Sequence, residues 1–324
     1  MKINPKNSPF PWTSVSVLSL MAVVLTFLIV IYSSGQKKRI KTDAATEMEA
    51  VAQLKAYQIS HWRSEKLNDA KLIHENITLV EHIDAMFIKE NNDWEKSRLT
   101  QLLTTLIENY DFGGAVLLDA GGRPGLAVPK EESVIGDYLR TSITSLISKP
   151  EITLSEFHTA SSVPYLHLDL MIPMTMPHEG DTVLAGILVI RIDPEKELFP
   201  LISTWPTPGK TSECILFRFV GDSVIYLNGS RLAGYDKMVT FPAGEMERSA
   251  LNPPAEKQEV KTYTDYTGTE VVASVKQVPG TDWYLAAKKE VPEILYRFNS
   301  EIAMLWLIMG LIYLALASIG YLIV

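Results

Sequence analysis

Polar side chains in two alternating apolar segments could form a binding site. Tyr165, His167 and Asp169 share one face of a predicted strand, because side chains two residues apart in a strand point the same way. Arg191 and Asp193 share a face of the next predicted strand. In a hairpin whose paired residue numbers sum to about 360, Asp169 lies opposite Arg191 and His167 lies opposite Asp193.

This group of side chains suits a small polar ligand. An arginine can bind a carboxylate through two parallel hydrogen bonds, while aspartate and tyrosine accept from or donate to the rest of the molecule. The same pattern also allows a cross-strand ion pair on a solvated face, which stabilises a fold by about 0 to 1 kcal/mol. We predict Tyr165, His167, Asp169 and Arg191 as ligand-binding residues and keep the solvated ion pair as the alternative.

Asp119 is a fifth candidate for ligand binding. It ends the apolar segment 113–119 and precedes a turn that contains Gly121 and Gly122. Aspartate before such a turn commonly accepts hydrogen bonds from the local backbone, so a structural role is the alternative.

Other kinds of site find little support in the sequence. The motifs of serine and cysteine nucleophiles and of phosphate-binding loops are missing, so we predict no catalytic residue and no enzymatic activity for this chain. The histidines other than His167 lack the paired spacing of a metal site: His61, His74, His82, His158 and His178. We therefore predict no metal site and no cofactor. The single cysteine, Cys214, lies in an apolar segment and is predicted to be a buried structural thiol.

Two uncharged apolar stretches lie near the ends of the chain, at residues 15–32 and 302–324. Each is close to the ~20 apolar residues that cross ~30 Å of hydrocarbon. We predict transmembrane helices at 13–34 and 299–324, with a cytoplasmic N-terminus at 1–12. The first stretch is longer than the apolar region of a cleaved signal peptide, which favours an uncleaved anchor.

The segment between these stretches is acidic. All 38 acidic residues, but not all of the 30 basic residues, lie between 35 and 301. An acidic surface is unfavourable for binding a polyanion, so we predict no nucleic-acid partner.

A long helix is predicted after the first apolar stretch. The segment from Gly35 to about Ile88 has no internal glycine or proline and carries apolar residues every three to five positions. We expect a stalk of roughly 35 to 40 residues, continuous with the membrane span, that stands ~50 to 60 Å from the bilayer. A second helix is predicted from Trp94 to Asn109.

The remainder alternates between short strands and turns. Strands are predicted at 113–119, 165–174, 183–192, 214–219, 223–228, 260–266, 270–278 and 283–288, with a proline-rich break at 205–209. We predict an α+β protein with two tandem modules between the two spans. The expected limits are 35–90 for the stalk and the start of the distal module, 91–205 for the membrane-distal module and 206–298 for the membrane-proximal module.

Several segments resemble the double Cache sensor regions of bacterial transmembrane receptors, which include histidine kinases, diguanylate cyclases and chemoreceptors. The resemblance covers roughly residues 45 to 295 and is carried by residues 57–76, 113–123, 164–174 and 186–194, and in the proximal half by 205–231 and 265–290. It implies two PAS-like Cache modules, of which the distal one usually binds a small molecule. The Arg-x-Trp-Tyr run of amino-acid-binding members is missing before Trp205, which leaves the kind of ligand open.

The resemblance implies a sensor in the bacterial inner membrane with its central domain in the periplasm or outside the cell. Such a sensor would pass a small-molecule signal through the second span to a cytoplasmic output domain absent from this chain, as in a two-component system. We also expect a homodimer through the stalk and the transmembrane helices. A two-span membrane scaffold or assembly protein without ligand-driven signalling is the alternative.

Overall fold

The computed structural model describes residues 12–89, 92–130, 136–160, 163–178, 181–206, 209–230, 234, 237–251 and 261–323. The helices among them are α1 (Trp12–His74), α2 (Ile77–Ile88), α3 (Asp93–Tyr110), α4 (Asp137–Ser148), α5 (Leu198–Ser203), α6 (Glu245–Arg248) and α7 (Val291–Ile323). The predicted cytoplasmic N-terminus lies outside the described residues except for Trp12.

Helix α1 runs without a break for 63 residues. Its first half exposes a continuous run of apolar side chains, including Leu20 and Phe27. Farther along, Met48, Ile59 and other residues of the predicted apolar stripe are buried against both sheets. The prediction of one continuous helix from the first apolar stretch into the stalk is therefore confirmed.

The stalk part of this helix has the expected length of 35 to 40 residues after Gly35 and stops before the end of the segment that lacks glycine and proline. Helix α1 ends at His74, and α2 begins at Ile77. The side chain of Asn76 accepts a hydrogen bond from the Leu79 N–H at 3.1 Å and caps the new helix. An asparagine that satisfies a free N–H at a helix start offers the backbone an alternative to continuing the previous helix.

The first sheet contains β1 (Gly114–Asp119), β2 (Pro124–Val128), β3 (Thr153–Leu154), β4 (His158–Ala160), β5 (Val163–His178) and β6 (Asp181–Ile192). The strand order is β2-β1-β6-β5-β3. Strand β4 also pairs with β5, on the same side of β5 as β3. One face packs against α1, α2 and α3, and the other face carries an apolar cluster that includes Leu139 and Ile143 of α4. Both faces of this sheet are thus covered.

The second sheet contains β7 (Glu213–Val220), β8 (Ser223–Tyr226), β9 (Val239–Pro242), β10 (Thr262–Thr264), β11 (Glu270–Gln277) and β12 (Trp283–Glu290). Its order is β10-β11-β12-β7-β8-β9, with every neighbouring pair antiparallel. The α+β class and the two sheet-rich parts are confirmed, and the segment that holds α5 and the proline-rich break separates the sheets. The domain limits at 90, 205 and 298 stay predictions.

Within the described part of the chain, two apolar helices are long enough to cross a membrane, namely the first part of α1 and α7. They lie side by side, and the hydroxyls of Thr26 and Tyr313 are 2.8 Å apart. Helix α7 begins at Val291, directly after β12 ends at Glu290. The second sheet is therefore joined to this helix without an intervening loop.

Candidate functional site

The long β5–β6 hairpin places the central candidate pair as predicted. The Cα atoms of Asp169 and Arg191 are direct partners in the antiparallel ladder. The ladder begins at Leu168 and Ile192, so the expected pairing of His167 with Asp193 does not form. Instead, the Asp193 carboxylate accepts a hydrogen bond from the Glu195 N–H at 3.0 Å, within its own turn.

The candidate side chains are deeply buried. Leu168 and Leu170 join the core on one face of the sheet, whereas His167, Asp169 and Arg191 lie on the other. His167 and Asp169 have 0% of their surface exposed and Arg191 has 1%. The alternative of an ion pair on a solvated face is therefore wrong. A buried charged group destabilises the fold unless another charge or hydrogen bonds compensate it.

Asp169 lies at the centre of a cluster that its neighbours only loosely satisfy. One carboxylate oxygen, Oδ1, is 3.7 Å from Arg191 Nε, and the other, Oδ2, is 2.9 Å from His158 Nε2 and 3.7 Å from His167 Nε2. Among the described residues, neither oxygen takes part in a hydrogen bond of acceptable geometry, even at the 2.9 Å contact. Buried polar atoms are rarely left in this state, so a bound species would complete the cluster.

Sequence reasoning missed the contribution of His158. Strand β4 pairs with β5 so that His158 and His167 are direct Cα partners, and the two rings stand edge to face with centroids 4.3 Å apart. Only eight residues separate the two histidines in the chain. Prediction of a strand at 158–160 would have revealed this pairing, because the two strands are close in the chain.

Two tyrosines border the histidines. The Tyr165 ring lies 5.6 Å from the His167 ring, and the Tyr138 ring of α4 lies 4.9 Å from the His158 ring. Tyr138 is about half exposed, at 48%, so it lies on the solvent side of the cluster. The predicted candidate Tyr165 therefore belongs to the same site, with Tyr138 as an additional residue.

Burial and charge act in opposite directions on the two histidines. Burial disfavours the charged form of His158, but the adjacent Asp169 carboxylate outweighs this effect and raises the pKa of His158 above its ordinary value. Burial dominates at His167 and lowers its pKa. The two rings therefore differ in their tendency to carry a proton.

Asp119 lies apart from this cluster. Its Cα partner on β6 is Gly186, five positions from Arg191, which corresponds to roughly 17 Å along a strand. Its carboxylate accepts hydrogen bonds from the N–H groups of Gly121 and Arg123 at 2.9 and 2.8 Å and pairs with Arg123 Nε at 2.7 Å. Together these bonds hold its pKa below the ordinary value in spite of partial burial. The structure thus shows a turn-stabilising role, and ligand contact by Asp119 stays a prediction.

The second sheet has a comparable buried ion pair, but its charged groups have close ion-pair or hydrogen-bond partners. Lys288 and Glu213 are direct Cα partners on β12 and β7, and Lys288 Nζ lies 2.6 Å from Asp265 and 3.4 Å from Glu213. Glu213 also accepts hydrogen bonds from Ser230 and Tyr266 at 2.9 and 2.7 Å. Every charge in this network has a close partner, so the cluster around Asp169 is the stronger candidate for a ligand site.

Cys214 is buried, as predicted, and burial raises the pKa of its thiol to about 12. A thiol with such a pKa is almost entirely protonated near neutral pH and is a poor nucleophile. Its environment is that of a structural residue.

Comparison with solved structures identifies the architecture. The sensory domain of the Campylobacter jejuni chemoreceptor Tlp3 with isoleucine bound is similar over 80% of this chain and 97% of that one, with a TM-score of 0.54 and 12% identity. The fold is that of a chemoreceptor sensory domain. The Tlp3 ligand-binding domain in complex with L-valine matches with a TM-score of 0.52 and 11% identity, covering 80% of this chain and 97% of that one.

The Pseudomonas fluorescens chemoreceptor CtaA, in complex with L-isoleucine, gives a TM-score of 0.50 and 14% identity over 81% of this chain and 98% of that domain. No protein-family model and no curated protein sequence matches the chain. The similarity to chemoreceptor sensory domains therefore concerns the fold, and it agrees with the double Cache architecture expected from the sequence.

Proposed function

We propose that this chain is the extracytoplasmic sensor region of a bacterial inner-membrane receptor and that its distal sheet binds a small-molecule ligand. The observation that carries the proposal is the buried Asp169 carboxylate, which has charged and polar neighbours but no well-formed hydrogen bond within the described residues. Convergent polar groups whose hydrogen bonds are incomplete in a packed interior mark a candidate site for a bound species.

The proposed ligand has an anionic group that faces Arg191 and a cationic group that faces Asp169 and the two histidines. Guanidinium groups bind carboxylates with well-defined geometry, and the buried location strengthens such contacts. The Tlp3 and CtaA domains, which share this fold, contain isoleucine and valine in their solved complexes. Small amino acids are therefore the first compounds to test, together with simple carboxylates and amines.

A route from this pocket to the membrane follows the packing. Glu156 precedes His158 by two residues, and its carboxylate accepts a hydrogen bond from the indole N–H of Trp283 on β12 at 3.1 Å. Strand β12 leads directly into α7, whose Glu293 accepts hydrogen bonds from the N–H groups of Lys210 and Thr211 at 2.9 and 2.7 Å. We propose that ligand binding favours one arrangement of β4 and that this bias is passed to α7.

The ligand proposal is tested with the full chain in lipid nanodiscs and a thermal-shift panel of amino acids, carboxylates and amines. We expect at least one compound to raise the melting temperature, since a ligand that binds only the folded state stabilises it. Arg191→Ala should abolish this shift, and Arg98→Ala, which changes an exposed arginine on α3, should retain it.

A shift that Arg191→Ala leaves unchanged would place the ligand outside this cluster. A panel without any active compound would contradict the sensor proposal. That result would favour the alternative of a two-span scaffold. Circular dichroism of each variant establishes that a lost shift does not reflect a lost fold.

A further inference from the structure

Three acceptor atoms converge beside Arg191 in the distal sheet. They are Nε2 of His158, Nε2 of His167 and Oδ2 of Asp169, and the ligand atoms of these three residues lie within 4.8 Å of one another. We propose that they bind a divalent transition-metal ion of the zinc class. The inference rests on the proposed function in taking this pocket as the sensing site, and it specifies the cationic part of what is sensed.

The backbone fixes the orientation of both imidazole rings. Nδ1 of His158 lies 2.9 Å from the Glu156 carbonyl oxygen, and Nδ1 of His167 lies 2.9 Å from the Tyr165 carbonyl oxygen. A carbonyl oxygen only accepts, so each Nδ1 carries a proton and donates it. In a neutral ring the Nε2 lone pair then faces the Asp169 carboxylate. Metal-binding histidines are typically held in this way, with one nitrogen donating to a carbonyl and the other free to coordinate.

The three acceptor atoms lie close together. When both rings are neutral, two lone pairs and a negative oxygen face each other in a region where the side chains of His167 and Asp169 are 1% and 0% exposed. Such a group is destabilising in a low-dielectric interior unless positive charge lies between its members. One metal ion would satisfy all three atoms at once.

Two of the three distances between the ligand atoms are closer to those around a metal ion than to those around an ammonium group, and the third lies within 4.8 Å. Ligands that lie about 2.0 to 2.1 Å from one zinc ion are roughly 3.4 Å apart in a tetrahedron. Acceptors that each lie about 2.9 Å from one ammonium nitrogen are roughly 4.7 Å apart at the same angles. The contacts of Asp169 Oδ2 with the two Nε2 atoms are 2.9 and 3.7 Å and lie around the value for the metal.

The donor set also indicates the class of metal. Two imidazoles and one carboxylate suit zinc and its transition-metal neighbours, whereas magnesium and calcium prefer oxygen ligands alone. Three protein ligands leave a coordination position open. Arg191 is adjacent, 3.7 Å from the second Asp169 oxygen, so an anionic group on a sensed molecule could occupy that position beside a guanidinium.

Metal binding here would join two separate strands. His158 belongs to β4 and the other two ligands belong to β5, so coordination would hold β4 in place. Phe157, next to His158, packs against Trp283 with ring centroids 5.0 Å apart. An ion at this position would therefore act on the element that contacts the proximal module.

The test uses the full chain, purified in nanodiscs without a histidine tag and stripped with EDTA. Calorimetric titration with Zn²⁺ and elemental analysis after desalting measure affinity and stoichiometry. We expect one equivalent of Zn²⁺, no comparable binding of Mg²⁺, and an affinity at least about tenfold lower in His158→Ala and in His167→Ala. His178→Ala, at the exposed end of the same hairpin, should bind as the wild type does.

Each other outcome overturns the metal inference. Zinc that binds equally well to the wild type and to His158→Ala occupies another place. A wild-type chain that binds no zinc but is stabilised by amino acids or amines places an ammonium group in the pocket and leaves the sensor proposal standing. A chain that responds to neither contradicts both proposals. If His167→Ala fails to fold, the zinc affinity of His158→Gln replaces it as the test, because His158 is the more accessible of the two histidines. It is read together with the zinc stoichiometry of the wild type.

Discussion

Asp169 and Arg191 are the pair of residues on which the proposed site depends. They face each other across two central strands, with essentially no exposure, yet their closest charged atoms are 3.7 Å apart. A buried pair of this kind contributes little to stability by itself, whereas removal of one partner takes a close opposite charge away from the other. The pair is therefore better explained by ligand binding than by folding.

A double-mutant cycle tests this interpretation at the residue scale. We expect Asp169→Leu and Arg191→Met each to lower the free energy of unfolding by about 3 to 5 kcal/mol, because each removes one of two opposite charges that lie close together in the interior. The double variant should be more stable than either single variant, since it removes both charges. Urea unfolding of the four proteins gives the coupling energy, and strictly additive losses would show that the two charges do not interact.

At the scale of elements, the two sheets differ in how completely their buried charged groups are paired and hydrogen-bonded. The first sheet leaves acceptors around Asp169 incompletely bonded, while the second surrounds Lys288 with Asp265, Glu213 and the Tyr266 ring. The ammonium group of Lys288 lies 4.0 Å from the centre of that ring. Strands β7 and β12 and the turn that follows β10 are thus held together by a satisfied network, which suits a module that transmits rather than binds.

The pH dependence of stability tests this network. Burial alone would raise the pKa of Asp265, but its hydrogen bonds with Lys288 and Thr267 outweigh burial and lower it from the ordinary 3.8. A lowered pKa means that the stabilisation is complete above pH 3.8 and is lost as the pH falls through the lower folded-state value. Asp265→Asn should therefore melt at a lower temperature than the wild type at pH 7, and the gap should narrow in strong acid.

Melting curves from pH 7 downwards measure this gap. Asp282→Asn, in the exposed turn before β12, is the matched control and should follow the wild type throughout. A constant gap between Asp265→Asn and the wild type at every pH would mean that the ionisation of Asp265 does not stabilise the second sheet.

At the scale of the whole molecule, α1 is the element that both sheets share. It passes from an exposed apolar segment to a buried stripe against both modules, and its outer side exposes Leu54, Tyr57 and Leu72 at 47, 64 and 66%. Positions 54 and 72 lie on the same side of a helix, with 57 close by. An exposed apolar strip on a stalk agrees with the expected homodimer.

Disulfide cross-linking tests that dimer. Tyr57→Cys should form a covalent dimer in membranes under mild oxidation, because the two stalks would bring position 57 of each copy together. Glu108→Cys, exposed on α3, should stay monomeric, and the native Cys214 is buried and should not interfere. Equal cross-linking of the two variants on denaturing gels would argue against a stalk interface.

The sequence by itself determined the larger features of this protein. The uncharged apolar stretches, the helical stripe of α1 and the alternation in β5 and β6 each follow from local spacing, and local spacing also fixed the register that sets Asp169 opposite Arg191. The short strands β2 to β4 were less accessible, since pairing at a sheet edge leaves only a weak periodic signal in the sequence.

Only the tertiary structure decided the character of the site. Alternation shows which residues share a face but not whether that face is covered, and it was the packing of α4 and β4 that turned a possible surface ion pair into a buried cluster. The same packing brought His158 beside His167 and separated Asp119 from both. Burial and convergence depend on contacts between distant elements, and for that physical reason they are not encoded in the spacing of any single segment.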